Sequence, residues 1–364
     1  MRLALVHDWL NQVGGAEDVL TEMVALYPTA PIYTGIYWRE GMPDTMRQWP
    51  IRALWIDRLP GIHRHHQRYL AFYPLAFGGL NLSGYDVVLS NKSGFCHGVR
   101  TGPKTIHVCY CLAPTRYVWQ YDSYMARERI GGVLKAVVRP VISALRRWDY
   151  AAAQRITHFI AISTEIQARI KTFYNRDSTI IHPPVDVAER FLPATPDEIE
   201  DHYLIVSRLI PYKRIDLAVQ ACTQLGLPLI VGGQGRDRAR LEAMAGPTVK
   251  FIGYVPDADL PGLMARCRAF IFPGLEDFGI TPVQAQAAGR PVIAFRGGGT
   301  LDTVIPGLSG ALFDTPTVEA LAETLARFDA SHYDPAAMRA HAMQFDRSVF
   351  QRELSAFVNR AAGR

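Results

Sequence analysis

The feature that most limits what this chain can fold into is an alternation repeated along its 364 residues. Short apolar or β-branched runs, each the length of one strand, cover residues 3–6, 86–90, 105–109, 158–162, 203–206, 229–231, 249–252, 269–272 and 292–295, and a longer stretch of helical spacing follows each. Runs of that kind read as strands buried on both faces, as happens when helices joining parallel strands cover both sides of a sheet. The predicted class is α/β, doubly wound. Hydrophobic residues at 49% and charged residues at 20%, with Gly and Pro dispersed, suit packed cores and exclude a disordered or fibrous chain.

The alternation breaks between Ile181 and Pro196, where four prolines and the acidic residues Asp197, Glu198, Glu200 and Asp201 interrupt both periodicities before a strand begins at Tyr203. With about 150 residues per domain as a guide, two domains are expected. The predicted division is 1–190 and 191–345, each Rossmann-like, with 346–364 a terminal helix packing back on the first. Two such halves would face a central cleft lined by the carboxyl ends of their strands, where open α/β sheets place ligands. The most apolar stretch, 69–79, is short of the roughly 20 residues a spanning helix needs, and the run from Met1 meets His7-Asp8 too soon for a signal peptide. A cytoplasmic location is the expectation. Five cysteines, an odd number without a C-x-x-C pair, favour a reducing compartment and no structural zinc.

Charge is uneven. Residues 1–190 carry 22 Lys and Arg against 15 Asp and Glu, whereas 191–364 carry 17 against 19. The first half is therefore the one expected to meet something anionic. No basic stripe interleaved with aromatics forms a nucleic-acid motif, so nucleic acid is a weak candidate and not the expected partner. Arg58, Arg64 and Arg68 stand among Tyr69, Phe72, Tyr73 and Phe77, and Arg127, Arg129, Lys135, Arg139, Arg146 and Arg147 form a second basic group. A basic segment with an apolar body has the composition of a membrane-surface contact, or of a solvated helix face over a core.

Two loops have ligand-binding chemistry. After the first strand, Gly14-Gly15 opens a helical pattern, where the backbone can approach an anion; a plain βα turn explains it as well. After the run 269–272, the segment Pro273 to Val292 reads as a loop and a helix with Thr281 as N-cap, Pro282 as first helical residue and Gly289 as stop. Glu276 then lies in the loop, and the backbone N–H groups of Gly279, Ile280 and Thr281 form an anion site beside a carboxylate. An acid there suits hydroxyls and the N–H groups suit phosphate, so the ligand reads as a sugar joined to a phosphate. Thr281-x-x-Gln284 also fits a capping box, which gives Gln284 a purely structural reading. Asp257-x-Asp259 has the spacing of a metal motif, but it follows Pro256 and precedes a helical pattern, so capping is expected and no catalytic metal.

The segment Glu276-Asp277-Phe278-Gly279-Ile280-Thr281-Pro282-Val283 resembles the signature of the retaining GT-B glycosyltransferases of family four, and within them the bacterial mannosyltransferase branch. Ser207 to Arg214, Gly232-Gly233-Gln234-Gly235, Phe251 to Val255 and residues 110–119 fall where that family has further motifs. The resemblance implies a GT-B fold and metal-independent transfer without a cofactor. It makes Arg208 and Lys213 the partners of the donor diphosphate, with Glu276 holding donor-sugar hydroxyls as the third catalytic residue. Gly14, Gly15, Arg116, Gly233, Tyr254, Asp277, Phe278, Gly279, Ile280, Thr281 and Gln284 would line the donor. Two departures stand out: Gln284 replaces a second Glu that usually binds ribose, and Leu112 replaces a His near the donor sugar.

The resemblance thus implies a hexosyltransferase carrying mannose from GDP-mannose to a lipid-linked saccharide in surface polysaccharide or glycolipid assembly. Donor binding would belong to the second domain and acceptor binding to the first, at the inner face of the cytoplasmic membrane. Two rivals share the motifs: a catalytically degraded nucleotide-sugar-binding partner, and a sugar-nucleotide epimerase. Retention of Arg208, Lys213 and Glu276 argues against degradation, because a scaffold has no physical need of them.

Overall fold

The computed structural model describes residues 1–120 and 132–363, with side chains described over 1–120 and 139–363. The chain divides into two units, Met1–Pro184 with Phe350–Arg364, and Val185–Val349. Arg127 and Arg129, and the side chain of Lys135, lie outside the described residues.

The first unit holds a seven-stranded sheet in the order β3 (Ile51–Ala53), β2 (Ile32–Thr34), β1 (Leu3–His7), β4 (Val87–Lys92), β5 (Ile106–Cys111), β6 (His158–Ala161), β7 (Ser178–Ile180). The second holds six strands in the order β10 (Val249–Gly253), β9 (Leu229–Gly232), β8 (Tyr203–Val206), β11 (Ala269–Phe272), β12 (Val292–Phe295), β13 (Gly310–Phe313). Every pair is parallel. All residues of β1, β4 and β11 are buried, which is why β11, the first four residues of β1 and the first three of β4 read as apolar runs, while Ser90, Asn91 and Lys92 end β4 with buried polar groups. These are two Rossmann-like domains, the α/β class that the alternation predicts.

In each sheet the chain builds outward one way from the first strand and then returns to build the other way. The connections leaving β1 and β4 therefore diverge, as do those leaving β8 and β11. Such a switch point opens a crevice at the carboxyl edge of a sheet, whatever the side chains are.

At the first switch point Asp8, fully buried just beyond β1, accepts hydrogen bonds from the backbone N–H groups of Ser93 (2.7 Å), Gly94 (2.6 Å), Phe95 (2.6 Å) and Cys96 (2.8 Å). One carboxylate thus fixes the turn that leaves β4. Beside it lies a buried polar network. Lys92 donates to Ala113 O (3.1 Å) and Thr115 Oγ1 (3.2 Å). Asp149 accepts from Thr115 (2.8 Å), Trp119 Nε1 (2.7 Å) and the Tyr174 hydroxyl (2.7 Å). Burial lowers the Lys92 pKa, but Asp149 together with Asp8 and the neighbouring thiols leaves the ammonium raised; burial raises Asp149, but Lys92, His97 and the hydrogen bonds from Trp119 and Tyr174 together hold it low. The segment that carries Arg116 is anchored by this pair.

The helix Arg347–Ala361 supplies Phe350 against Tyr110, with ring centroids 5.5 Å apart, and Phe357 against His158 at 5.8 Å. All five cysteines are free and buried.

Candidate active site

The second switch point brings two distant sequence segments together. The chain leaves β8 through Ser207-Arg208-Leu209-Ile210 into a single 3₁₀ turn, Pro211–Lys213. It leaves β11 through Pro273-Gly274-Leu275-Glu276. Lys213 Nζ donates to Glu276 Oε1, an ion pair between side chains only 13% and 23% exposed. The pair joins residues 63 apart in sequence, with Ser207, Pro273 and Gly274 lining the same recess. Arg208 reaches Tyr212, its Nη2 donating to the hydroxyl at 3.2 Å, and Lys213 Nζ lies 5.4 Å from the Tyr212 ring centroid.

Glycines set this geometry by what they leave out. A Cβ on Gly233, whose φ is +128°, would fall 1.8 Å from Ser207 O, and one on Gly235 would fall 2.1 Å from Leu209 O. The loop after β9 is therefore pressed against the segment that carries Arg208, and Leu209 N donates to Gln234 O at 2.9 Å. Gly274 presses on Lys213 in the same manner, a Cβ there meeting Lys213 O at 2.9 Å. Tyr254 follows β10 on the same carboxyl edge and is 67% exposed.

Sequence reasoning passed over the loop Gly297-Gly298-Gly299 beyond β12. A Cβ on Gly298 would meet Glu276 O at 2.2 Å, one on Gly299 would meet Phe278 Cα at 2.1 Å, and Gly299 N donates to Glu276 O at 2.8 Å. This loop backs the Glu276 segment. Its signal was the glycine run directly after an apolar strand. Phe278 is buried and packs edge-on against Phe345 at 5.7 Å, which makes it a wall of the loop's support, and Asp277 beside it is also buried.

The predicted helix start needs correction. The helix runs Ile280–Ala287 with Gly279 at the N-cap position, φ +93°. Thr281 is therefore the second helical residue and Pro282 the third, and no side-chain cap forms. Glycine in the left-handed region lets the chain enter the helix two residues before Thr281, while Pro282 still sits where an N–H has no intrahelical partner. Gln284 lies beyond capping reach, is part-exposed, and its amide makes no hydrogen bond to the described residues. The predicted stop holds: Gly289 adopts φ +71° just past Ala288. Asp259 occupies the N-cap of Leu260–Arg266 without a side-chain bond, and Asp257 pairs with Arg190 at 2.6 Å.

The remaining candidates belong to the first unit. Gly14 is the N-cap of the helix Gly15–Leu26, whose first turn carries Glu17 and Asp18. Glu17 is buried against His7 Nε2 at 3.3 Å, so an anion approaching these glycines meets carboxylates as well as N–H groups. Arg116 is exposed at the start of the turn Arg116–Trp119, and Leu112 N donates to Lys92 O at 2.8 Å.

Residues 193–344, which contain Arg208, Lys213 and Glu276, match the family described as "Glycosyl transferases group 1". This segment is a group 1 glycosyltransferase domain. Curated relatives of the chain include the GDP-mannose-dependent monoacylated alpha-(1-6)-phosphatidylinositol monomannoside mannosyltransferase of Corynebacterium glutamicum, 31% identical over 45% of this chain and 50% of the relative. The GDP-mannose-dependent alpha-mannosyltransferase of Mycolicibacterium smegmatis is 36% identical over 31% of this chain and 30% of the relative. The match thus spans half or less of these relatives. The crystal structure of Anabaena Alr3699/HepE in complex with UDP superimposes with a TM-score of 0.71 over 99% of this chain and all of the other, at 18% identity, and so shares the fold. Within the glycosyltransferase domain, the Lys213–Glu276 pair joins two of the motifs through which the sequence resembles family four.

Proposed function

We propose that the protein is a retaining glycosyltransferase that moves a mannosyl group from GDP-mannose to a lipid-linked saccharide. The observation that carries this reading is the Lys213–Glu276 pair at the β8/β11 switch point, with Arg208 on the same segment as Lys213. A cation and a carboxylate there can serve the two ends of one donor. Lys213 and Arg208 meet the diphosphate in place of a metal ion, and Glu276 accepts hydrogen bonds from sugar hydroxyls. As the bond from the anomeric carbon to the phosphate oxygen breaks, its electron pair leaves with the nucleoside diphosphate. Fixed cations stabilise that growing charge more than they stabilise the bound donor. The acceptor hydroxyl then bonds to the anomeric carbon from the face the diphosphate leaves, and its proton passes to a donor phosphate oxygen. Acceptor recognition is assigned to the first unit, and the remaining donor contacts to Gly279–Thr281 N–H groups and Gln284.

The mannosyl donor and glycolipid setting draw support from the names of the relatives, whose shared term is GDP-mannose-dependent. A contact with an anionic leaflet draws support from the first unit's surface. Trp55, Phe72 and Leu75 are exposed there, with Trp55 and Phe72 edge to face at 6.4 Å, and Arg58, Arg64 and Arg68 are exposed in the same segment. No helix among the described residues is long and apolar enough to cross a membrane.

The test is to supply GDP-mannose, UDP-glucose and UDP-galactose separately, with and without polyprenyl-diphosphate-linked saccharides, and to measure nucleoside diphosphate release and the anomeric configuration of the product. GDP release that rises with acceptor and yields an α-mannoside is expected. An epimerised nucleotide sugar, or no release from any donor, overturns the reading.

A further inference from the structure

Lys213 and Glu276 are each other's counterion, and the backbone that carries them is held in place. Gly274 brings the backbone of the Glu276 loop against Lys213, while on its other side Gly298 and Gly299 hold the loop through close approach and the 2.8 Å hydrogen bond to Glu276 O. Both side chains are mostly removed from solvent, so screening between them is weak.

Resting on the transferase reading, we infer that this pair makes ligand recognition conditional on both halves of a nucleotide sugar, so that the site holds the intact donor more tightly than the nucleoside diphosphate that remains after transfer. Any anion that takes the Lys213 ammonium competes with the Glu276 carboxylate and brings negative charge beside it. A half-buried carboxylate that loses its counterion is left poorly compensated. An intact donor answers this with sugar hydroxyls that donate to Glu276, whereas a free diphosphate has none to offer. Loss of the sugar therefore weakens the grip on the diphosphate at the moment it must leave.

The pair predicts an unusual gain of binding on removing a charge. Binding of GDP, GDP-mannose and inorganic pyrophosphate is measured by calorimetry, without acceptor, for wild type, Glu276→Gln, Lys213→Gln and the double variant, each at a temperature well below its own Tm. Wild type should bind GDP-mannose about tenfold or more tighter than GDP, and Glu276→Gln should bind GDP and pyrophosphate about tenfold tighter than wild type, narrowing its preference for the intact donor. With Lys213 already replaced, the second change should bring no such gain. Glu276→Gln binding GDP no tighter than wild type, or an equal gain in the Lys213→Gln background, overturns the inference while leaving the transferase reading in place. Failure of wild type and Glu276→Gln alike to bind GDP, GDP-mannose or pyrophosphate removes both.

Discussion

His107 sits on β5 inside the first sheet and is 1% exposed, its Nε2 3.0 Å from the Ser90 hydroxyl. Burial, with the nearby charges of His97 and Arg155, pushes its pKa down from 6.5 to about 3, and burial beside Lys92 pushes His97 down to about 4. Both rings are therefore neutral in the folded protein over a range where the unfolded chain binds protons. The sign follows: stability is complete above pH 6.5 and falls as pH drops toward 4, by about 2 kcal/mol per histidine at pH 5. Denaturation midpoints at pH 7 and pH 5 should show this, and His107→Gln, which keeps a partner for Ser90, should remove about half of the difference contributed by the two rings. In the second unit, Arg208→Ala should lower turnover about 10²- to 10³-fold with a small change in Tm, and Lys213→Ala should lower turnover as much and Tm as well, because each deletes a stabiliser of leaving-group charge and the second also leaves Glu276 without its counterion. Wild-type turnover in both would remove the diphosphate assignment. The sequence singled out these two cations through the family resemblance, and Glu276 also through its place in a loop between a strand and a helix. That Lys213 and Glu276 touch was not legible, because 63 residues separate them and only the strand order unites them.

Elements of four or more residues in the middle of a sheet read well: residues 203–206, 269–272 and 292–295 match β8, β11 and β12 end to end. The strands without a sequence signal are β2, β3, β7 and β13, of three or four residues, and all but β2 lie at sheet edges. Three residues cannot display a period, and an edge strand lacks neighbours on both sides to demand apolar side chains. Helix starts are similarly uneven. Ser163 caps Thr164–Tyr174 by accepting from Ile166 N at 3.2 Å, whereas Thr281 caps nothing because a left-handed glycine starts its helix. A glycine's φ is invisible in a sequence, so the Thr-x-x-Gln pattern was read where no box forms. Thermal melts should separate the two: Ser163→Ala should cost about 1 kcal/mol and Thr281→Ala far less. Gln284→Ala should likewise leave the melt unchanged while weakening nucleotide binding. A lowered Tm without a change in binding would return Gln284 to a structural part.

Across the whole molecule, positive charge is concentrated in the first half of the sequence. The basic first half presents Trp55, Phe72 and Leu75 beside Arg58, Arg64 and Arg68, and each Lys or Arg near an anionic leaflet contributes about 1 kcal/mol. Co-sedimentation with phosphatidylserine-containing vesicles should be strong at low salt, fall as salt rises, and fall further in Arg64→Glu with Arg68→Glu. Indifference to the vesicles at low salt would leave the transferase without a membrane contact. The five buried thiols have a separate use. Cys96, Cys109 and Cys111 belong to the first unit and Cys222 and Cys267 to the second. Burial pushes Cys109, Cys222 and Cys267 up to about 12, so reagents that need an accessible thiolate find none in the native fold. Each unit therefore carries its own chemical clock for opening. In dilute urea, alkylation followed by mass spectrometry should add three labels on one time course and two on another, and a nucleotide that grips the second unit should slow the pair while the trio keeps its pace.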